Sequence, residues 1–168
     1  PESNSNDLVS SAAIGVIDNS LDFYAMKYLT GTIGQHFNII TTPHSLLISG
    51  EHSGITIDDI DIDTVGGVDG FLLSLYPANF NTGWYRSIGS GEDDAMREVC
   101  WLDTGHALFS GNFGDTTMFP ESNRPPILVT PADVPDGDEV GDIVVIINRF
   151  GDYVNILPTQ FSETHCHG

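Results

Sequence analysis

The sequence predicts an all-β protein, an antiparallel sandwich or jelly-roll-like domain with at most one short N-terminal helix. Beyond Gly31, short runs rich in Val, Ile, Leu, Phe and Tyr follow one another about every 8–12 residues. The 18 glycines and 9 prolines, together with Asn and Asp, supply turn residues between these runs. The same region contains no stretch of convincing helical periodicity, and this combination is typical of sandwiches and barrels.

The chain is divided into an N-terminal arm, residues 1–12, and a single β-rich domain, residues 13–168. The arm is polar, as mobile chain ends usually are. With 168 residues, 40% of them hydrophobic, the chain is long and apolar enough to build one real core.

The segment "SLDFYAMKYL", residues 20–29, is the candidate helix, with Asn19 as its cap. Apolar and aromatic side chains recur there at helical spacing: Leu21, Tyr24, Ala25, Tyr28 and Leu29. A strand is the alternative interpretation, because aromatic residues favour strands.

Two later segments have a common form, "VGGVDGFLLSLY" and "GDEVGDIVVIIN". Each places a glycine turn and an acid before five or six mostly apolar residues. We interpret each as a turn that leads into a buried central strand, one in each half of a β-sandwich.

The acidic stretch "ITIDDIDID", residues 55–63, alternates Ile with Thr or Asp, and the phase shifts by one at Asp58–Asp59. Alternation predicts a strand with an acidic outer face, and the shift predicts a β-bulge. An EF-type calcium loop that begins at Asp59 needs Gly at its sixth and Glu at its twelfth position. Thr64 and Gly70 occupy those positions, which argues against such a loop.

The charge balance excludes several classes of partner. The chain has 24 acidic and 5 basic residues, a net charge of −19, and Lys27 is its only lysine. Nucleic acid and anionic membrane surfaces both bind through protein cations, so neither is an expected partner. No apolar run approaches the roughly 20 residues that a membrane-spanning helix needs.

Asp103-Thr104-Gly105, after the run "VCWL", resembles the active-site triplet of aspartic proteases, in which paired carboxylates share a proton. His106 stands where a retroviral-type protease has a small residue, and the triplet is also a common turn sequence. The chain lacks a G-x-S-x-G elbow, a P-loop and a dinucleotide fingerprint. We therefore expect no enzyme and no cofactor, with the protease as the third-ranked hypothesis.

The candidate metal ligands lie in two places. His165 and His167 alternate in the tail "ETHCHG", so their side chains point to one side of an extended chain. The loop "PDGDEVGD" offers Asp136, Asp138 and Asp142 for calcium, although its "DG" is also a tight-turn signal.

The segment "WYR" provides candidate binding residues for a glycan, namely Trp84, Tyr85 and Arg86. In a strand, one of the two aromatic side chains faces inward and the other outward. Cys100, in the same apolar run as the protease-like triplet, is interpreted as a buried free thiol, with a disulfide to Cys166 as the alternative.

Residues 37–157 resemble a β-domain common in bacteriophage virion proteins of the tail-fibre and capsid-decoration type. The segments that carry the resemblance are "TTPHSLLISGEHSGITI", "GGVDGFLLSLYPANFN", "REVCWLDTGHALFSG" and "VPDGDEVGDIVVIIN", in that order. The resemblance implies a structural role, often as a trimer, and no catalytic residues. The expected partners are then other virion proteins, copies of the same chain and host-surface glycans, and the expected location is the virion or the extracellular medium.

The main alternative function is a secreted β-sandwich module that binds carbohydrate or calcium. It would use Trp84, Tyr85 and the aspartate-rich loops, and its stability would depend on calcium. The virion module requires no metal, so calcium dependence separates the two hypotheses.

Overall fold

The fold is all-β, as predicted. The computed structural model describes residues 9–17, 20, 23–102, 105–119, 127–129 and 141–159. These form twelve strands and, among the described residues, no helix. The strands are β1 (Val9–Ile17), β2 (Phe23–Thr41), β3 (Leu46–Ile57), β4 (Ile60–Ile62), β5 (Asp69–Leu75), β6 (Thr82–Ile88), β7 (Ala95–Leu102), β8 (His106–Phe113), β9 (Thr117–Phe119), β10 (Ile127–Val129), β11 (Gly141–Asn148) and β12 (Tyr153–Thr159).

The strands form two main antiparallel sheets that pack as a sandwich. The first sheet has six strands in the order β1-β2-β3-β5-β6, with β4 paired to β3. The second has four strands in the order β12-β11-β8-β7, and β9 and β10 form a separate pair. Neighbours within each sheet largely follow chain order, so the arrangement is a meander rather than the Greek-key order of a jelly roll.

The predicted N-terminal helix is wrong over the described part of its range. Residues 23–29 lie in β2, which pairs with β1 on one side and β3 on the other. From Met26 to Thr30 the side chains alternate between exposed and buried, which is the period of a strand. Residues 23–29 pair with β1, and the continuation of β2 from Thr30 pairs with β3, so strand pairing overrides the helical spacing of the aromatic residues. β1 begins at Val9, inside the segment assigned to the arm, and the division into an arm and one domain remains a prediction.

A sharp bend divides the first sheet. The β2–β3 register shifts twice, between Gly31 and Ile33 and between Ile33 and Phe37. Gly31 and Gly54 have φ angles of 116° and 94°, in the left-handed region that favours glycine. Asp58, just beyond the end of β3, accepts a hydrogen bond from Thr82, which lies two strands away from the start of β3. The sheet therefore folds back over itself and encloses an apolar core of its own.

This inner core is built almost entirely from Ile and Leu. Its buried members are Ile14, Leu29, Ile33, Leu46, Ile48, Ile55, Ile57, Ile62, Phe71, Leu73, Leu75 and Phe80. They come from β1 to β5, together with Phe80 in the β5–β6 loop, and lie on both sides of the bend.

A second core, the intersheet core, lies between the two sheets and is richer in aromatic residues. Its buried members are Leu47, Leu72, Trp84, Ile88, Met96, Val99, Ala107, Phe109, Phe113, Phe119, Val129, Ile143, Val145, Ile147 and Tyr153. Because β5 contributes Leu72 to this core and Phe71 to the inner one, all of its residues are buried. The predicted buried central strands, β5 and β11, are thus both observed, one in each sheet.

The stretch "ITIDDIDI" is a hairpin rather than a single bulged strand. Ile57 pairs directly with Ile60 and leaves Asp58 and Asp59 as a two-residue turn. Their φ angles are 52° and 62°, as the twist-matched type I′ hairpin requires. The predicted strand character is correct on both sides of the turn, and the predicted bulge is wrong because the phase shift marks a reversal of the chain.

Candidate functional site

The three predicted glycan-binding residues lie together on β6, but their side chains are largely occupied within the protein. Trp84 is only 9% exposed, belongs to the intersheet core, and donates a hydrogen bond from Nε1 to the Arg149 carbonyl at 3.2 Å. Tyr85 packs against the inner core on the opposite face of the strand. The expectation that at least one of the two aromatic residues packs in a core is confirmed, and glycan contact remains a prediction.

The Arg86 side chain lies against the aromatic rings that a sugar would need to contact. Its guanidinium lies 6.0 Å from the ring centroids of both Trp84 and Tyr153, within range of cation–π attraction. One of its terminal nitrogens donates to the Tyr85 carbonyl at 2.7 Å. This arginine therefore ties β6 to the second sheet.

The hairpin between β11 and β12 forms a rigid exposed tip, which we call the Arg149–Phe150 tip. Asn148 holds it: its Oδ1 accepts from the Phe150 and Asp152 amides at 2.8 and 3.1 Å. Gly151, with a φ of 85°, packs flat on Trp84, so that a Cβ there would lie 2.7 Å from the indole. The hydrogen bonds and the glycine contact fix the backbone of the tip in one conformation.

The tip presents one cation and one aromatic ring to solvent. Phe150 is 65% exposed, and the Arg149 guanidinium lies 4.6 Å from its ring centroid. Among the described residues Arg149 forms no ion pair, since the only such pair joins Lys27 and Asp58. Arginine and aromatic side chains are enriched at protein interfaces, so an exposed Arg and Phe on a fixed backbone have the composition of an interaction surface.

A cluster of acidic loops, which we call the acidic end, contains two buried carboxylates that the sequence did not single out. Asp69, at the start of β5, is fully buried. Its Oδ2 accepts from the Val65 amide at 2.9 Å, whereas its Oδ1 has no hydrogen-bond partner among the described residues. The carboxylate lies directly over Gly89, where any side chain would collide with it.

Asp94 is the second buried carboxylate, and its hydrogen bonds are satisfied. Its Oδ2 accepts from the Ser90 amide at 2.6 Å and the Ser90 hydroxyl at 2.7 Å. Its Oδ1 accepts from the Gly114 amide at 3.2 Å and lies 3.5 Å from the Thr117 hydroxyl. Asp94 thus ties the loop before β7 to the segment after β8.

Burial raises the pKa of both carboxyls above the usual range of Asp, and the hydrogen bonds that they accept oppose this change. Neighbouring charge adds to it, since Asp93 raises the pKa of Asp69 and Asp69 raises the pKa of Asp94. Exposed carboxylates surround the pair at Glu92, Asp93 and Asp115. The acidic end therefore concentrates negative charge, and its exposed Val65 is an apolar contact point at 62% exposure.

The acidic end and the Arg149–Phe150 tip lie at opposite ends of the strands. Asp94 directly precedes β7, and Ala95 pairs with Asn112 at that end of the second sheet. At the other end His106 pairs with both Leu102 and Asn148, beside the tip. Strands of this length place the two ends about 25 Å apart.

His52 and Ser87 form a hydrogen-bonded pair that is not a nucleophilic dyad. The Gly54 amide donates to His52 Nδ1 at 3.1 Å, so the proton of the neutral ring lies on Nε2. That nitrogen then donates to the Ser87 hydroxyl, 3.1 Å away, and cannot remove its proton. Burial lowers the pKa of His52 to about 4, which keeps the ring neutral at pH 7.

The predicted metal ligands are not brought together among the described residues. Asp142 lies half-buried at the start of β11, where burial raises its pKa and Arg97 opposes this change. Asp136, Asp138, His165 and His167 lie outside the described residues, as does Cys166. In the described ranges no three His, Cys, Asp or Glu side chains converge as a set of metal ligands. Cys100 is half-buried rather than buried, because it lies on the outer face of β7.

The protease-like triplet lies in the connection between β7 and β8. Gly105 has a φ of 83° and donates its amide to the Leu102 carbonyl at 3.1 Å, and Leu102 pairs with His106. These contacts are those of a short hairpin turn. Asp103 and Thr104 lie outside the described residues, so the protease hypothesis stays a prediction that Asp103→Asn would test.

Comparisons with known proteins assign the chain to no family. No protein-family model matches it, and no curated protein or solved structure matches it significantly. In the part of the chain that the structure describes, no helix is long and apolar enough to cross a membrane.

Sequence reasoning missed the acidic end and the tip for different reasons. Asp69 and Asp94 are separated by 25 positions, and only the pairing of β5 with β6 and of β7 with β8 brings their loops together. The tip had a usable signal: "NRFGD" combines turn residues with a cation and an aromatic residue in a chain with few cations.

Proposed function

We propose that the protein is a structural component of a virion, a capsid-decoration or tail-fibre module of bacteriophage type that assembles as a homo-oligomer, with a trimer favoured. The virion assignment is supported by the sequence resemblance, and the assembly role by one surface. That surface is the outer apolar face of the second sheet, defined by Cys100, Leu108, Val144, Ile146 and Leu157.

The pairing register places these side chains on one face. Ile146 pairs with Leu108, which pairs with Cys100, while Val144 pairs with Leu157. Their chain neighbours Val99, Phe109 and Val145 point the other way, into the intersheet core. The face therefore crosses all four strands. Val144 at its centre is buried, Cys100, Leu108 and Ile146 are half-buried, and Leu157 is 42% exposed.

A second copy of the chain meets the least electrostatic repulsion at this face. A protein of net charge −19 repels its own copies, and the repulsion is weakest where carboxylates are sparse. Glu98 and Asp142 lie at the margin of the face, and its centre is apolar except for the buried Ser110.

The edge of the sheet is a poorer surface for assembly than its face. On β12 the Asn155 side chain accepts from the Ile156 amide at 3.0 Å, and Pro158 has no amide hydrogen. Both features block the addition of another strand. The outer apolar face is therefore a better contact surface than the β12 edge.

Light scattering combined with gel filtration tests the assembly role. We expect an oligomer that persists in EDTA, and we expect Leu157→Glu to dissociate it, because the variant adds a charge to the apolar face. Leu128→Glu is the matched control, since Leu128 is 61% exposed on β10, away from this face. A monomeric wild type, or equal effects of the two variants, would contradict the proposed surface.

The secreted calcium-binding module is retained as a second candidate because of Asp69 Oδ1, a buried oxygen without a described partner. Calcium accepts oxygen ligands from carboxylates and backbone carbonyls. A rise in melting temperature with added calcium that Asp69→Asn abolishes would support this candidate over the virion module.

A further inference from the structure

We infer that the Arg149–Phe150 tip is a docking element that binds the acidic end of a second copy of the same chain. This inference rests on the proposed homo-oligomeric assembly and names a further contact within it. The inference follows from the opposite charges of the Arg149–Phe150 tip and the acidic end.

The tip is preorganised for binding. Asn148 accepts two backbone hydrogen bonds within the hairpin, and Gly151 lies against Trp84 of the intersheet core. Little backbone entropy is therefore lost when the tip becomes buried in a contact. The only nearby carboxylate of the turn, Asp152, accepts from the Asn148 side-chain amide at 3.0 Å and forms no ion pair with Arg149.

The acidic end matches the tip in both charge and apolar character. Glu92, Asp93 and Asp115 are exposed there, and each offers a carboxylate to a guanidinium. Val65 is 62% exposed in the same loop cluster and offers an apolar contact for the Phe150 ring.

The charge balance of the chain also indicates which molecule binds the tip. In a chain with 5 basic and 24 acidic residues, an exposed arginine that forms no ion pair among the described residues is attracted to the surface of another copy. The acidic end gathers five carboxylates, of which Glu92, Asp93 and Asp115 are exposed and can meet a cation.

Because the two surfaces lie at opposite ends of one molecule, the contact is head to tail. Such a heterologous contact forms a closed ring when the rotation between copies closes, and a filament when it does not. The predicted trimer is one closed form of this contact.

The test is charge reversal with complementation, measured by sedimentation velocity at low and high salt. We expect Arg149→Glu and Glu92→Arg each to weaken self-association about tenfold or more, since each places like charges at the contact. Mixing the two variants should restore a complex of one copy each, because the charge-reversed tip then meets the charge-reversed acidic end. Glu92 is chosen because its side chain makes none of the hydrogen bonds that hold the acidic loops.

Folding is checked by circular dichroism on each variant, and Leu128→Glu again serves as the surface control. Unchanged self-association of folded Arg149→Glu, or no recovery in the mixture, would overturn the inference. Loss of association in Leu157→Glu but not in Arg149→Glu would retain the proposed function and reject the docking tip. The reverse result would retain the tip and reject the outer apolar face.

Discussion

The inner core and the intersheet core share the strands β3 and β5, which present one face to each core, yet the two cores are closed in different ways. Aromatic rings close the intersheet core: Phe119 meets Tyr153 edge to face at 5.6 Å, and Trp84 lies against Gly151. Polar pairs border the inner core, where Lys27 bonds Asp58 and His52 bonds Ser87. Two packed sheets need only apolar area between them, whereas a bent sheet also needs bonds that hold its two halves together.

The polar border of the inner core begins at the Asp58–Asp59 turn. Asp58 accepts from the Lys27 ammonium and, at 2.5 Å, from the Thr82 hydroxyl, so one carboxylate joins β2, the β3–β4 hairpin and β6. The hydrogen bonds from Lys27 and Thr82 hold the pKa of Asp58 below its usual range. The acidic Asp58–Asp59 turn, which was compared with a calcium loop in the sequence, thus holds three parts of the first sheet together.

Removal of one ring from each core gives the largest expected effect. Phe71→Ala in the inner core and Phe109→Ala in the intersheet core should each lower the free energy of unfolding by about 3–5 kcal/mol. Because β5 contributes to both cores, each variant should still melt in a single transition by circular dichroism and Trp fluorescence. Two separate transitions in Phe71→Ala would show instead that the bent half folds independently.

Acid should weaken the border of the inner core through His52. Its pKa is 6.5 when unperturbed and about 4 in the folded protein, so only the unfolded chain gains a proton between these values. The stability contribution is complete above pH 6.5 and falls by up to about 3 kcal/mol as the pH approaches 4.

His52→Gln should remove this part of the pH dependence, measured by urea unfolding from pH 7 to pH 4. Asp69 and Asp94 act in the opposite direction, since raised pKa values favour the folded state as the pH falls. The wild type and His52→Gln share the contribution of Asp69 and Asp94, so the difference between their two pH curves is due to His52. Parallel curves for the wild type and the variant would contradict the assignment.

Gly151→Ala tests how tightly the intersheet core is closed. The substitution places a Cβ 2.7 Å from the Trp84 ring and also strains a left-handed φ of 85°, and we expect a loss of about 2 kcal/mol. Gly105→Ala is the matched control, because Gly105 has a φ of 83° and open space around its Cβ position. Its expected loss is about 1 kcal/mol from the backbone alone. Equal melting temperatures of the two variants would mean that the Trp84 ring moves aside to make room for the new Cβ.

The smallest expected effect distinguishes the two buried carboxylates of the acidic end. Asp69→Asn should stabilise the fold at pH 7 by up to about 1 kcal/mol, since it removes a desolvated charge and keeps an acceptor for the Val65 amide. Asp94→Asn should destabilise it, because an amide nitrogen replaces an oxygen that accepts hydrogen bonds. Chemical denaturation measures the free energy of unfolding of each variant. Changes of the same sign in Asp69→Asn and Asp94→Asn would contradict this prediction.

The sequence was sufficient for the parts of the fold with local signals. Alternation and glycine turns placed β5 and β11 as buried strands, and they placed Ile55 and Ile57 on the inner side of β3. The bend was missed because it depends on pairing between β2 and β3, and the aromatic spacing of residues 20–29 imitated a helix. Asp69 and Asp94 were missed because burial of an acid is a property of the packed loops and not of its neighbours in the chain.

Lys27 makes the side chains of the folded protein nearly unreactive towards amine-directed reagents. It is the only lysine of the chain, it is 7% exposed, and its ammonium is bound to Asp58. An acylating reagent can reach it only after the bend opens, so the rate of its modification, followed by peptide mass, reports the opening equilibrium of the inner core. One native side chain thus serves as a built-in probe of how often the two halves of the bent sheet separate.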